Sequence, residues 1–402
     1  MHKRGSAAPA VRHGSAILVL ILCLWGAPVS AGQASEPAPA ADPPAVGCIL
    51  PLTGRNAAYG NRALDAVLLA AGVFGASRVT PVRVLIEDSQ SDAAVAGAAV
   101  EKLALAGARC VIGPLGSQEA LEAAREAQRL RIPILTLTQR EGITEVGDHV
   151  FRNFLTAAMQ VRTVVQHARE ELGLRRFAIL HPDDPYGREM TRLFREEVLR
   201  TGGEIRREQS YKADQTDFGA EILALGGTAP AQPGAETAAG AQKKSDPGFE
   251  ALFIPDYAYR VAMLVDQLAY HDMTGIRLLG TSGWVSPQLL KADTGLLQGA
   301  VFVDGFFAES FRPEVNDFIE AFYTAYGREP ATMEALVYDG MDMAVRLIRD
   351  DRGGTRESFR NALAQVTGYP GVSGRTSFPA TRDALKDLFV LTVREDRIVQ
   401  VK

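Results

Sequence analysis

Cys110-Val-Ile-Gly-Pro-Leu-Gly-Ser117 compresses a strand, a turn and the start of a helix into one short run. Cys110 to Ile112 reads as a buried strand, and Gly113-Pro114 stops it. Ser117 reads as the cap of a helix through Ala127. Glu119 sits in the first turn, where a carboxylate suits the helix dipole. Working outward, the same unit recurs. Upstream, Val46–Leu52 reads as a strand and Tyr59–Phe74 as a helix with Leu64, Val67, Leu68 and Ala71 on one face. Val82–Ile86 is a strand and Ala93–Ala106 an Ala-rich helix. Downstream, Ile132–Thr136 is the next strand.

The rhythm restarts after Phe151-Arg-Asn-Phe154. A helix is expected over 157–172, a strand at 176–180, a helix at 187–201, a strand at 205–211 and a short helix at 218–225. Strands follow at 251–254 and 276–279, with a helix at 260–270 between them. After a strand ending at Val303 come helices near 313–326, 332–349 and 356–366. Phe389–Val393 and Ile398–Val401 read as antiparallel edge strands. Two β-α-β-α runs imply an α/β protein with two parallel-sheet lobes and helices on both faces of each. Residues 226–248 (GGTAPAQPGAETAAGAQKKSDPG) interrupt the second run, and 227–248 reads as a mobile surface insertion.

The chain has 402 residues, 47% hydrophobic and 23% charged, with a net charge of −5. That mix excludes a disordered chain and a multi-span membrane protein, and the absence of a basic block argues against a nucleic-acid partner. Lys3, Arg4 and Arg12 precede the apolar run Ala16–Trp25 and the small residues Val29-Ser30-Ala31. This is the pattern of a signal peptide over 1–31, and the run is too short for a membrane span of ~20 residues. Its removal leaves 371 residues at net charge −8. Cys23 lies inside the apolar run, behind Leu20-Ile21-Leu22, not behind the small residues that lipoprotein processing prefers. A soluble exported protein is therefore expected over a lipid-anchored one. Residues 32–44 read as a flexible Pro/Ala leader. Cys48 and Cys110 are expected to be two buried free thiols.

In open parallel sheets, ligands sit at the carboxyl ends of the strands. The Gly113-Pro114-Leu115-Gly116-Ser117 turn offers amides and a hydroxyl at a helix start, which suits a carboxylate. Ser117 either caps its helix or meets the ligand. Thr138 and Gln139 on the next loop add a hydroxyl and an amide. Tyr59, Tyr186, Tyr257 and Trp284 are candidate walls of a small-molecule cleft. Asp183-Asp184 reads as a solvated turn ahead of Pro185. G-x-x-x-x-G-K-[ST], H-E-x-x-H and G-x-S-x-G are absent, and the six histidines have no metal-ligand spacing. Neither an enzyme nor a cofactor or metal is expected.

Pro51-Leu-Thr-Gly54 with Ala58-Tyr-Gly60, Val111–Ser117 and Asp184-Pro-Tyr-Gly187 together resemble the type I periplasmic solute-binding proteins, in the leucine/isoleucine/valine-binding branch. The resemblance covers about 45–400 and implies two lobes joined by a three-crossover hinge. Lobe I would be 45–153 plus 305–376, and lobe II 154–304 plus 377–402. In that family the position of Ser117 and the loop of Thr138 and Gln139 hold the ligand's α-carboxylate. Tyr186 would lie across the cleft and Tyr59 at the rim. The family's acid for the ligand ammonium is missing from Thr281-Ser282-Gly283-Trp284, and Asp256 or Asp184 would have to replace it. Thr136–Gly142, the insertion and Gly280–Trp284 also resemble the penicillin-binding-protein activators. The resemblance therefore implies a receptor for a small carboxylate-bearing, amino-acid-like ligand serving an ABC-type membrane permease. The alternative is a regulator whose partner is a cell-wall synthase.

Overall fold

A computed structural model describes residues 43–74, 82–227, 247–292, 294–350 and 354–401. The expected signal peptide, most of the leader and most of the 227–248 insertion lie outside these residues.

The first sheet has the order β2 (Arg83–Asp88), β1 (Ala45–Leu50), β3 (Ala108–Ile112), β4 (Ile134–Thr136), β5 (Val150–Arg152), with every pair parallel. Helices α1 (Ala57–Ala70), α2 (Ala93–Leu105) and α3 (Ser117–Arg129) connect them. β1 is buried along its whole length, as a strand between two helix layers must be. Alanines at 96, 99, 120, 123, 124 and 127 are buried with the sheet in one core, and their small size lets α2 and α3 pack closely. On α1 the buried face is Gly60, Ala63, Ala66 and Val67. Of the expected stripe, Val67 and Ala71 are buried, while Leu64 and Leu68 are only half-buried. Cys48 and Cys110 are free and buried on neighbouring strands, and burial holds the Cys48 thiol up to about 12.

The second sheet has the order β14 (Arg397–Gln400), β13 (Phe389–Arg394), β10 (Val301–Asp304), β9 (Arg277–Leu279), β8 (Ala251–Phe253), β6 (Arg176–Pro182), β7 (Glu204–Tyr211). Its helices are α4 (Ala157–Gln166), α5 (Pro185–Arg200), α6 (Gly219–Leu225), α7 (Ala258–Tyr270) and α8 (Thr294–Leu297). α4 runs on into a π-helical turn, His167–Glu171. β13 is not an edge strand as expected. It pairs antiparallel with both β10 and β14, so that of these two C-terminal strands β14 alone is an edge. Phe194 stacks on Phe253 at 4.1 Å in this core.

After β10 the chain returns to the first sheet. α9 (Pro313–Tyr326) and α10 (Thr332–Arg349) pack on α1, and α11 (Arg356–Ala364) on β3. A small antiparallel pair, β11 (Thr376–Ser377) with β12 (Leu385–Lys386), precedes β13. The molecule is thus mixed α/β with two parallel-sheet lobes, the first joined by α9–α11 and the second by β13 and β14 from the later stretch of chain. Arg152, at the end of β5, forks onto Asp383, with Nε 2.8 Å from Oδ1. The two lobes also share a local device. A Cβ on Gly60 would lie 2.1 Å from the Pro51 carbonyl oxygen, and one on Gly187 2.2 Å from that of Pro182. In both lobes a Tyr-Gly pair therefore lets a helix close onto the end of the strand before it.

Candidate functional site

Loops after β3, β4 and β5 and loops after β6 and β9 line one cavity of about 420 Å³. Leu115, Leu137, Leu155, Met190, Leu336 and Val337 supply an apolar wall. Gln139, Glu141, Thr156, Gln160, Tyr186, Ser282 and Thr332 supply the polar groups. The volume and the mixture suit a small ligand with an apolar body and one polar end. No lysine or arginine lines it, so an anionic group there would be met by hydroxyls and amides.

Several of these groups are fixed by their neighbours. Tyr186 lies in the first turn of α5, whose amide at Gly187 is capped by Asp184 at 2.7 Å. The acidic pair ahead of Pro185 is thus half solvated turn and half helix cap. The Tyr186 hydroxyl lies 2.9 Å from Thr281 Oγ1, and burial pushes its pKa up to about 12. Its ring stacks on Tyr257 at 5.8 Å. Gln160 Oε1 accepts the Ser282 amide at 2.9 Å, which leaves the Gln160 NH2 as a donor.

Behind Thr332 lies Asp304, at the end of β10 and fully buried. It accepts from the Gly305 amide at 2.6 Å and lies 3.4 Å from the Thr332 hydroxyl. Burial pushes its pKa from 3.8 up to about 7. An aspartate whose folded value exceeds its unfolded one takes up a proton on folding. Its stabilising contribution is therefore complete below pH 3.8 and is lost as the pH rises towards 7. Asp304→Asn keeps the acceptor without the charge. It is expected to raise stability at pH 8 by on the order of 4 kcal/mol, at ~1.4 kcal/mol per pKa unit. That gain shrinks by roughly half or more at pH 5. Urea unfolding at the two pH values checks this, and an equal effect at both would contradict it.

Residues 43–397 match the family model described as "Periplasmic binding protein". The chain belongs to the periplasmic binding protein family. No curated protein sequence matches it. Among solved structures, a provisionally assigned branched-chain amino acid ABC transporter from Rhodospirillum rubrum aligns with a TM-score of 0.79 at 24% identity, over 89% of this chain and 99% of that one. The branched-chain amino acid substrate-binding protein of Streptococcus pneumoniae, solved with isoleucine, gives 0.58 at 20% identity over 89% and 99%. A solute-binding protein of Rhodopseudomonas palustris, solved with 3,4-dihydroxybenzoic acid, gives 0.61 at 20% identity over 89% and 96%. At these identities the likeness establishes the fold, which is that of the type I periplasmic binding proteins.

Within this periplasmic-binding fold the expected site residues disperse. Leu115, Gln139 and Tyr186 line the cavity together. Gly116 and Ser117 instead line a neighbouring concavity of about 680 Å³ with Arg55, Asn56, Gln90 and Ser91. Ser117 does not cap α3. Gly116 holds the cap position in extended conformation, and the Ser117 hydroxyl makes no capping bond. Thr138 is buried, its hydroxyl 3.3 Å from the Arg140 amide. Tyr59 is 59% exposed on α1 and Tyr257 53% exposed behind Tyr186, and neither lines the cavity. Trp284 is fully buried, its indole N–H donating to Ile254 O at 3.0 Å, so it is a core residue rather than a wall. Asp256 is occupied internally. It takes the Tyr211 hydroxyl at 2.5 Å and the Tyr257 amide at 2.7 Å, with Arg260 Nε 3.1 Å away. Burial raises its pKa.

Gln160, Thr332 and Met333 were missed. Gln160 lies inside a helix, while Thr332 and Met333 open a helix that follows another helix, so reading the ends of strands could not reach them. Ser282 and Glu141 lie in loops whose neighbours were singled out.

Proposed function

We propose that the protein is an exported, non-catalytic receptor that closes its lobes on a small amino-acid-like carboxylate and delivers it to an ABC-type permease. The observation that carries this is the 420 Å³ cavity, apolar on one side, with neutral donors and the single carboxylate of Glu141 on the other. The lobes as proposed are 45–153 with 305–376 and 154–304 with 377–402. Closure brings Gln160, Tyr186 and Ser282 onto a ligand seated against Leu115, Leu137 and Leu336. Gln160, Ser282 and Thr332 receive the carboxylate. Glu141, the only charged residue that lines the cavity among those described, receives the ammonium in place of the acid missing after β9. No described helix is long and apolar enough to cross a membrane.

Calorimetry with leucine, isoleucine and 4-hydroxybenzoate tests this. One of the amino acids is expected to bind in a single site. Present at 100 times its Kd, it raises stability by ~2.7 kcal/mol. Glu141→Gln is expected to weaken the amino acid about tenfold, ~1.4 kcal/mol, and to spare the benzoate. A benzoate-only result would move the ligand to the aromatic acids. Silence with every small acid at millimolar concentration would favour the cell-wall regulator.

A further inference from the structure

A second concavity lies on the first sheet at the edge opposite the ligand cavity, where β3 and β5 begin. It measures about 770 Å³ and is lined by Arg109, Arg131, Arg356 and Arg360, with Asp148 and Glu357 as its acids. The acids do not neutralise the cations. Asp148 is committed to Arg360 at 2.8 Å, and also takes His149 Nδ1 at 2.8 Å and Gln128 Nε2 at 3.1 Å. Arg356 is held by neutral carbonyls, Nη2 on Ala104 O at 2.6 Å and Nε on Ala108 O at 3.0 Å. Arg109 Nε is buried and meets no acceptor. Neither Arg109 nor Arg131 forms an ion pair among the described residues. Burial and the charge of nearby Arg109 together hold the Arg356 pKa below its ordinary value. Like-charged guanidinium groups are brought together in a chain whose net charge is −5.

We propose that this concavity binds a phosphate-bearing anion between Arg109, Arg131 and Arg356. Guanidinium forks match the oxygen spacing of a phosphate, and charge-assisted bonds from several of them give the anion its affinity. The anion screens Arg109 from Arg356. Because the concavity adjoins the N-terminal ends of the strands, its occupant does not compete with a solute at their C-terminal ends. Soluble phosphate and a phospholipid headgroup share this chemistry.

The purified protein titrated with inorganic phosphate, against sodium chloride of equal ionic strength, tests the proposal. Calorimetry is expected to show saturable binding, and the Arg109 Nε–H resonance to move with it. Arg109→Gln combined with Arg131→Gln is expected to weaken phosphate at least tenfold and to leave leucine titrations unchanged. Arg131→Gln alone, at an exposed position, is expected to weaken it about threefold, which keeps the test open if the double variant does not fold. Sedimentation with phosphatidylglycerol vesicles distinguishes the sources. Vesicle binding that phosphate displaces and the variant lacks supports a headgroup. Phosphate binding without vesicle binding supports a soluble anion. Phosphate indistinguishable from chloride, or binding undiminished in the variants, would overturn the proposal.

Discussion

Asp339→Ala is expected to cost about 3–5 kcal/mol of stability, the range for stranding one partner of a buried ion pair. Asp339 on α10 and Lys386 on β12 both have fully buried side chains, with Nζ 3.9 Å from Oδ2. The carboxylate also takes the amides of Val372 and Ser373, each at 2.8 Å, and the Ser373 hydroxyl. Lys386 Nζ donates to Ser373 Oγ at 2.8 Å and to Thr376 Oγ1 at 2.7 Å. Burial already holds the Lys386 pKa down to about 8, and only the Asp339 charge opposes that fall. Alanine leaves two amides unsatisfied and an ammonium without a counter-charge. The network ties α10, which packs on the first sheet, to the chain just before it re-enters the second. Adding Lys386→Met to Asp339→Ala is expected to recover part of the loss, because the stranded charge goes with it. Urea unfolding of the single and double variants measures both. A single-variant loss below about 1 kcal/mol would show that the pair contributes little beyond its desolvation cost.

Trp284→Ala is expected to cost a similar ~3–5 kcal/mol, as for other large aromatic truncations in cores. The indole is fully buried and lies 5.7 Å from the Phe302 ring. Truncation opens a void in the core and removes one of two donors to the Ile254 carbonyl, the other being the Asp256 amide at 3.0 Å. Trp284→Phe keeps most of the volume and loses the N–H donor, so it is expected to fall between the two. Thermal melts and urea unfolding rank the three proteins. An alanine variant close to wild type would place Trp284 at a surface.

The alternation of strand and helix was legible because parallel strands buried on both faces read as short apolar runs, with glycine and proline marking their ends. The sheet order was not, because β13 reads the same whether it borders a sheet or joins β10 inside it. Around the cavity, residues immediately after strands could be found, and Leu115, Gln139 and Tyr186 were. Thr332 and Gln160 reach the cavity through tertiary packing, which leaves no periodic mark. Asp256 carried a readable warning in Arg260 four residues on, since that spacing pairs charges along a helix. Ser117 has a side chain that favours a cap, yet the extended backbone of Gly116 takes that position. Trp284 shows the limit of reading aromatics at strand ends: the same residue type serves a wall or a core, and burial alone separates them.

The cavity between the two sets of loops is the proposed ligand site. Gln139→Trp places a large ring into that cavity from an exposed loop position, where the fold tolerates it. The direct measurement is calorimetric titration of wild type and Gln139→Trp with leucine and isoleucine. A single-site isotherm in wild type that disappears in Gln139→Trp, with an unchanged melting temperature for the free protein, is the result expected. Equal binding by both proteins would place the ligand elsewhere and contradict the account.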